Sequence, residues 1–208
     1  MRERHRSVDG VLLLDKPSGV SSNAALQRAR RCFQAGKAGH GGTLDPFASG
    51  LLVVCFGDAT KFLQGSLGAR KRYEAVIRLG VRTATGDPEG AVVEVTPVPE
   101  VSDEHLTHTL NAFLGATLQI PPMFSALKRG GVPLYSLARQ GREITRSPRQ
   151  IEIDRLTVTR RSGAFLWVDV TCGKGTYIRT LAEDIGARIG CAASLVSLRR
   201  TAVGSMFI

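Results

Sequence analysis

Apolar and polar positions along the chain change period several times, and each change predicts an element. GVLLLDK (10–16) is a short apolar run stopped by Lys16-Pro17, which predicts a buried strand. Ser21 or Ser22 offers an N-cap for a helix over about 23–34. LLVVCFG (51–57) reads as a second buried strand, and ATKFLQGSL as a short helix beginning near Thr60. KRYEAVIRLG alternates, predicting a strand with Tyr73 and Ala75 on one face. GDPEG (86–90) is a turn, and AVVEV returns as the hairpin partner. Ser102 caps a helix predicted to reach Leu114, where Gly115 suits the C-terminal cap. IEIDRLTVTR and FLWVDVTC alternate as a strand pair. TYIRTLAEDIGARIG has helical spacing at Ile178, Leu181, Ile185 and Ile189 and stops at Gly190, and SLVSLRRTAV closes the chain as a strand.

No internal repeat and no regular βαβ alternation interrupts this order. The prediction is an α+β fold: a mixed, mostly antiparallel central sheet with flanking helices. Residues 1–9 are charged and read as a loose N-terminal arm, and residues 10–208 as one domain. Within it, 121–150 changes character. Pro121, Pro122, Pro133, Gly130 and Gly131 leave room for one short helix, LYSLARQG. Lys128, Arg129, Arg139, Arg142, Arg146 and Arg149 face only Glu143 between 128 and 149. This predicts a projecting basic insertion.

Charge sharpens the picture. Lys and Arg number 28 against 18 Asp and Glu, a net charge of +10 on 208 residues. Most of the cations are arginine, whose planar fork suits phosphate, so the balance points first to nucleic acid and second to an anionic surface. No apolar run approaches the ~20 residues of a spanning helix and no signal segment is visible, so a soluble, cytoplasmic protein is expected. Of four cysteines none forms a C-x-x-C pair, which argues against a zinc site. Cys32, Cys55 and Cys191 sit among apolar neighbours and read as core residues. No histidine pair is spaced for a metal.

Two stretches invite chemistry. GHGGTLDP (39–46) carries three glycines and belongs in neither a helix nor a strand interior. Asp45 before Pro46 fits an N-cap with proline at the first helical position. It also fits a partly desolvated nucleophile between Leu44 and Phe47, in a loop whose glycines let a ligand approach. His40 alone says little. CGKGTYIRT (172–180) departs from the phosphate loop, since Lys174 is followed by Gly175 rather than Ser or Thr. Tyr177 and Arg179 sit on the first turn of a helix there. Arg179 reads either as a surface residue or as a fork onto a carboxylate such as Asp45.

LLLDKPSGVSSN, AGHGGTLDPFASGLL, GDATKF, KRYEAVIRLG, IPPMFSALK, LYSLARQG, KGTYIRTLAEDIG and SLRRTAVG follow one another in this order. Together they resemble the TruB family, the bacterial tRNA pseudouridine-55 synthases, from about Gly10 to the end of the chain. The resemblance implies the pseudouridine synthase fold and isomerisation of one uridine in the T-arm loop of tRNA, without cofactor or metal. It implies Asp45 as catalytic nucleophile, Tyr73 stacked on the target uracil, and Arg179 holding Asp45. Tyr177 and Leu198 would line the pocket, Lys16 and Pro17 would pack nearby, and His40 would fill the space left by the flipped base. The insertion would grip RNA phosphates. The implied partner is the tRNA T-arm stem-loop, with no membrane and no obligatory protein partner, and the charge points to a monomer. Family members continue into a small C-terminal RNA-binding domain, so a chain ending at Ile208 is expected to be the catalytic domain without it. The competing reading, resting on charge alone, is a non-catalytic RNA-binding or RNA-folding module.

Overall fold

A computed structural model describes residues 6–208. In chain order its elements are β1 (Gly10–Lys16), α1 (Ser22–Cys32), β2 (Ala38–His40), β3 (Ser49–Phe56), a 3-10 turn (Gly57–Phe62) and α2 (Leu63–Gly68). Then come β4 (Lys71–Leu79), β5 (Val81–Thr83), β6 (Val92–Val95), α3 (Asp103–Asn111) and β7 (Gly115–Gln119). The insertion holds β8 (Lys128–Arg129), β9 (Val132–Pro133) and α4 (Leu134–Ala138). The chain ends with β10 (Arg149–Ser162), β11 (Phe165–Cys172), α5 (Ile178–Ile189), β12 (Ala193–Val203) and β13 (Met206–Phe207). The fold is α+β, with a mixed and mostly antiparallel sheet. Among the described residues no helix is long and apolar enough to cross a membrane.

The chain divides into two compact units, residues 1–74 with 198–208 and residues 75–197. In the first, β3 is flanked by β1, antiparallel with Leu12 opposite Val54, and by the end of β12, parallel with Arg200 opposite Gly50. β2 adds antiparallel to β3 and β13 to β12. The start of β4 joins through the Gly204 amide, which donates to the Arg70 carbonyl. The core under α1 is Ala25, Leu26, Ala29, Leu52, Val54 and Phe56. Ser21 caps α1 by accepting the Ala24 amide at 3.1 Å.

In the second unit β10 is the long central strand, antiparallel to β11 on one side and to β7 on the other. Leu181, Ala182 and Ile185 of α5 are buried, which satisfies the helical spacing read from the sequence. Gly190 ends α5 in the left-handed conformation, its amide donating to the Gly186 and Ala187 carbonyls. The insertion does carry one short helix, α4, tied down by buried Leu134 and Leu137.

Several sequence expectations change. β1 is buried along one face only: Val11 is 58% exposed and Leu13 also faces water. Gly39 and His40 belong to a strand after all, since β2 is a short edge strand. AVVEV pairs through β6 with β5, Val81 opposite Val95, not with β4. α3 stops at Asn111 because the Phe113 and Leu114 amides bond three residues back and turn the chain early. Cys32 lies exposed at the end of α1 rather than in the core. Of the expected loose arm, residues 1–5 lie outside the described residues, and Arg6 bridges to Ala35.

Gly50 of β3 sits opposite Arg200 of β12. Its φ is +101°, and a β-carbon there would overlap the Arg200 backbone. Gly50→Ala is expected to destabilise the protein by about 3 kcal/mol or more through strain and overlap combined; the midpoint of urea unfolding measures it.

Candidate functional site

The Asp45 loop is held by the segment that leaves β1. Lys16 is fully buried, and its Nζ donates to the carbonyls of Pro17 (2.9 Å), Val20 (2.6 Å) and Pro46 (3.3 Å). The Gly19 amide donates to the same Pro46 carbonyl at 2.8 Å. Ser18 Oγ donates to the Phe47 carbonyl at 2.7 Å. Ser22 Oγ donates to the Leu44 carbonyl and accepts from the Leu44 amide, at 2.9 and 2.8 Å. Leu44, Pro46 and Phe47 are therefore each fixed from residues 16–22. Asp45 is half-buried between buried Leu44 and Phe47. No helix begins there; the Ala48 amide donates to the Asp45 carbonyl and closes a turn with Pro46 at its second position.

The glycines before Asp45 have a reason inside the protein. β-carbons at Gly39 and Gly41 would lie 2.7 Å from Leu63 and 2.6 Å from Ser66, both on α2. The missing side chains make room for α2, so the loop is not bare on that side. Arg200, 1% exposed, then reaches across from β12 and donates to the Leu51 carbonyl at 2.7 Å and the Gly42 carbonyl at 3.1 Å. His40 is half-buried, and its Nδ1 is buried without a hydrogen-bond partner. Burial, and secondarily the Arg200 charge, push its pKa below the ordinary value of 6.5 and favour the neutral ring. Tyr73 on β4 and Leu198 on β12 are both buried in this first unit.

The second unit carries Tyr177 and Arg179. Tyr177 is the N-cap residue of α5 and Arg179 its second helical residue. Arg179 is 4% exposed, which rules out the surface reading. Its guanidinium donates to the carbonyls of Thr85 (2.7 Å) and Phe124 (2.6 Å) and lies 3.6 Å from the Asp87 carboxylate, itself buried. Asp87 in turn accepts from Thr85 Oγ1 and from the Glu89 amide. Gln119 clamps the Tyr177 backbone with its whole amide: Oε1 accepts the Tyr177 amide at 2.8 Å and Nε2 donates to the Tyr177 carbonyl at 3.1 Å.

In the insertion Lys128, Arg129, Arg139, Arg142 and Arg149 are exposed and Arg146 is half-buried. Arg129 donates to the Thr145 carbonyl and Arg139 stacks over Tyr135. Arg146 reaches the Pro121 carbonyl and Glu143. Part of this charge thus braces the segment.

A family model described as TruB family pseudouridylate synthase (N terminal domain) matches residues 30–178, from α1 through the Asp45 loop to the head of α5. The chain belongs to the TruB family. A second model, the tRNA pseudouridylate synthase B C-terminal domain, matches residues 179–207, here α5, β12 and β13. Proteins called tRNA pseudouridine synthase B are similar along the chain. The one from Marinomonas sp. (strain MWYL1) is 54% identical over 96% of this chain and 65% of its own length. The one from Burkholderia mallei (strain ATCC 23344) is 54% identical over 99% and 66%, and that from Dechloromonas aromatica (strain RCB) 55% over 97% and 67%. The chain spans about two thirds of the length of these relatives. Among solved structures, a Cbf5-Nop10-Gar1 complex holds a chain 29% identical, with a TM-score of 0.74 over 98% of this chain and 52% of that one. An H/ACA RNP bound to a substrate RNA containing 2'-deoxyuridine matches at 28% and a TM-score of 0.69, over 94% of this chain and 47% of that one.

Four residues of this TruB-family chain escaped the sequence reading. Asp87 reads only as part of the GDPEG turn, Ser22 only as an alternative cap and Arg200 only as part of the last strand, and Gln119 receives no role. Only the family resemblance, which implies that Lys16 and Pro17 pack near the site, points to the role of the first segment.

Two outcomes follow from this geometry. Asp87→Asn removes the carboxylate beside a buried guanidinium and is expected to destabilise the protein by about 1.5–3 kcal/mol in chemical denaturation. His40 is expected to titrate below 6.5 by NMR. The stability tied to its neutral ring is complete above the unfolded-state pKa and is lost as pH falls through the lower folded-state value. The wild type should therefore lose stability relative to His40→Gln as pH falls below the ordinary value of 6.5 and through the lower folded-state pKa.

Proposed function

We propose that this chain isomerises one uridine to pseudouridine in the T-arm loop of tRNA, with Asp45 as the nucleophile. The observation that carries the reading is Asp45 itself: a half-buried carboxylate with apolar neighbours, on a loop fixed from both sides, within the segment that the TruB-family model matches. The N1–C1′ bond breaks, the uracil turns, and C5 bonds to C1′ with loss of the C5 proton and gain of one at N1. Atoms and electrons balance without a second substrate.

The remaining roles follow from where chemistry must occur. A base inside a folded loop is out of reach, so the nucleotide leaves the stack at a cost of a few kcal/mol. A neutral His40 ring, carrying no charge to desolvate, suits the vacated apolar space. Tyr73 stacks on the uracil, Leu198 lines its pocket, and Tyr177 and Arg179 are further substrate-binding residues. Lys128, Arg129, Arg139, Arg142, Arg146 and Arg149 meet RNA phosphates. The enzyme acts as a cytoplasmic monomer on tRNA.

Incubating the protein with a T-arm stem-loop and digesting the RNA to nucleosides is expected to yield pseudouridine at a single position. Asp45→Asn is expected to bind the same RNA with no turnover. Product formation by that variant would reject the assigned role, and binding without product by the unmodified protein would favour a pure RNA-binding module.

A further inference from the structure

The positive charge of this chain is unevenly placed. Residues 1–74 and 198–208 contain fourteen Lys and Arg against six Asp and Glu, whereas residues 75–197 contain fourteen against twelve. The excess therefore lies mainly in the first unit, although the basic insertion belongs to the second. Between Lys16 and Leu44 there is no acidic residue at all.

That stretch contains α1 and the turn that follows it. Arg28 and Arg31 are exposed and one helical turn apart on α1, so they share a face. Lys37 is exposed after the turn, just before β2. Among the described residues none of these three side chains has an ion pair or hydrogen bond. Arg6 is exposed as well and is fixed beside them: its amide donates to the Gln34 carbonyl at 2.7 Å, and its backbone bridges to Ala35. Basic residues near a helix C-terminus have an ordinary purpose, which is to meet the last carbonyls. Arg30 is spent on the turn beyond the helix, donating to the Ala35 and Gly36 carbonyls at 3.0 and 2.8 Å. Its neighbours are left over. Other acids of the unit are engaged elsewhere: Asp9 accepts the Asp58 amide, Asp15 holds Arg199 and Asp58 holds Lys61.

Two further features mark the turn. Phe33 is 46% exposed, its ring resting against Phe56 with centroids 5.1 Å apart. Gln34 has φ +53°, the one non-glycine with positive φ among the described residues. An aromatic face amid unpaired guanidinium and ammonium groups is the composition of a nucleic-acid contact. A strained residue kept in such a turn fits a surface shaped for a partner. We propose that Arg6, Arg28, Arg31, Phe33 and Lys37 form a second RNA-binding surface, separate from the insertion, which holds the phosphate backbone of the RNA whose loop enters the site. This rests on the reading of RNA as substrate. The patch leads through Lys37 directly into β2 and His40, so RNA seated on it lies beside the strand that meets the flipped base.

The test is equilibrium binding of a T-arm stem-loop RNA as salt is varied. Each phosphate contact contributes roughly 0.7–0.9 to the slope of log affinity against log salt. Replacing Arg28, Arg31 and Lys37 together by Gln is expected to lower the slope by roughly two to three, with Arg28→Lys and Arg31→Lys restoring most of it. An unchanged slope would overturn the proposal. Should the triple variant fold poorly, the wild type supplies the answer: acylation of the Lys37 amine is expected to slow when the RNA is bound, and equal rates with and without RNA would overturn the proposal as well. Both readouts are of binding, so a protein that makes no pseudouridine sinks the functional reading alone, and an unchanged slope sinks this one alone.

Discussion

The ammonium of Lys16 is the constraint on which the Asp45 loop depends. A buried charge is expensive unless its donors are matched. Lys16 matches its donors with carbonyls from its own loop and from Pro46, thirty residues on. The β1–α1 connection and the Asp45 loop are therefore joined through one cation that neither can release into water cheaply. Ser18, Gly19 and Ser22 add neutral bonds between the same two segments. A glycine-rich loop gains its rigidity this way, and a group held on it keeps a fixed geometry.

The same device recurs. Arg200 joins Leu51 and Gly42, Arg179 joins Thr85 and Phe124, and buried Lys71 joins Leu67 and Ala69. Each cation gathers two main-chain carbonyls that lie at or near the ends of loops, strands and a helix. Carbonyls at loop ends are the groups most in want of donors, and a Lys or Arg brings three to five. Irregular backbone can thus be held in place without apolar residues of its own.

Much of this fold was legible because its elements obey local rules. The caps at Ser21 and Ser102, the stop at Gly190 and the alternation of β4 appear where the sequence places them. Asp45 and Arg179 stood out because Asp-Pro after glycines and Arg on the first turn of a helix are unusual surroundings for charge. What was hidden depends on distance along the chain. Gln119 and Tyr177 are 58 residues apart, and Thr85 and Arg179 are 94 apart. A glutamine ending a strand has no local feature that distinguishes a clamp from an exposed amide. The glycines misled for a related reason. Gly39 and Gly41 look open when read along the chain, and only the packing of α2 shows that their space is occupied.

Arg200 ties the structural and electrostatic arguments together. Its guanidinium fixes the Gly42 carbonyl, and the same charge disfavours a proton on His40. Burial comes first in favouring the neutral histidine, and the charge of the cation that shapes the loop adds to it. Swapping Arg200 for an apolar residue of similar volume would disturb both effects at once. His40 and the loop it precedes behave as one unit, shaped by a residue from the far end of the chain.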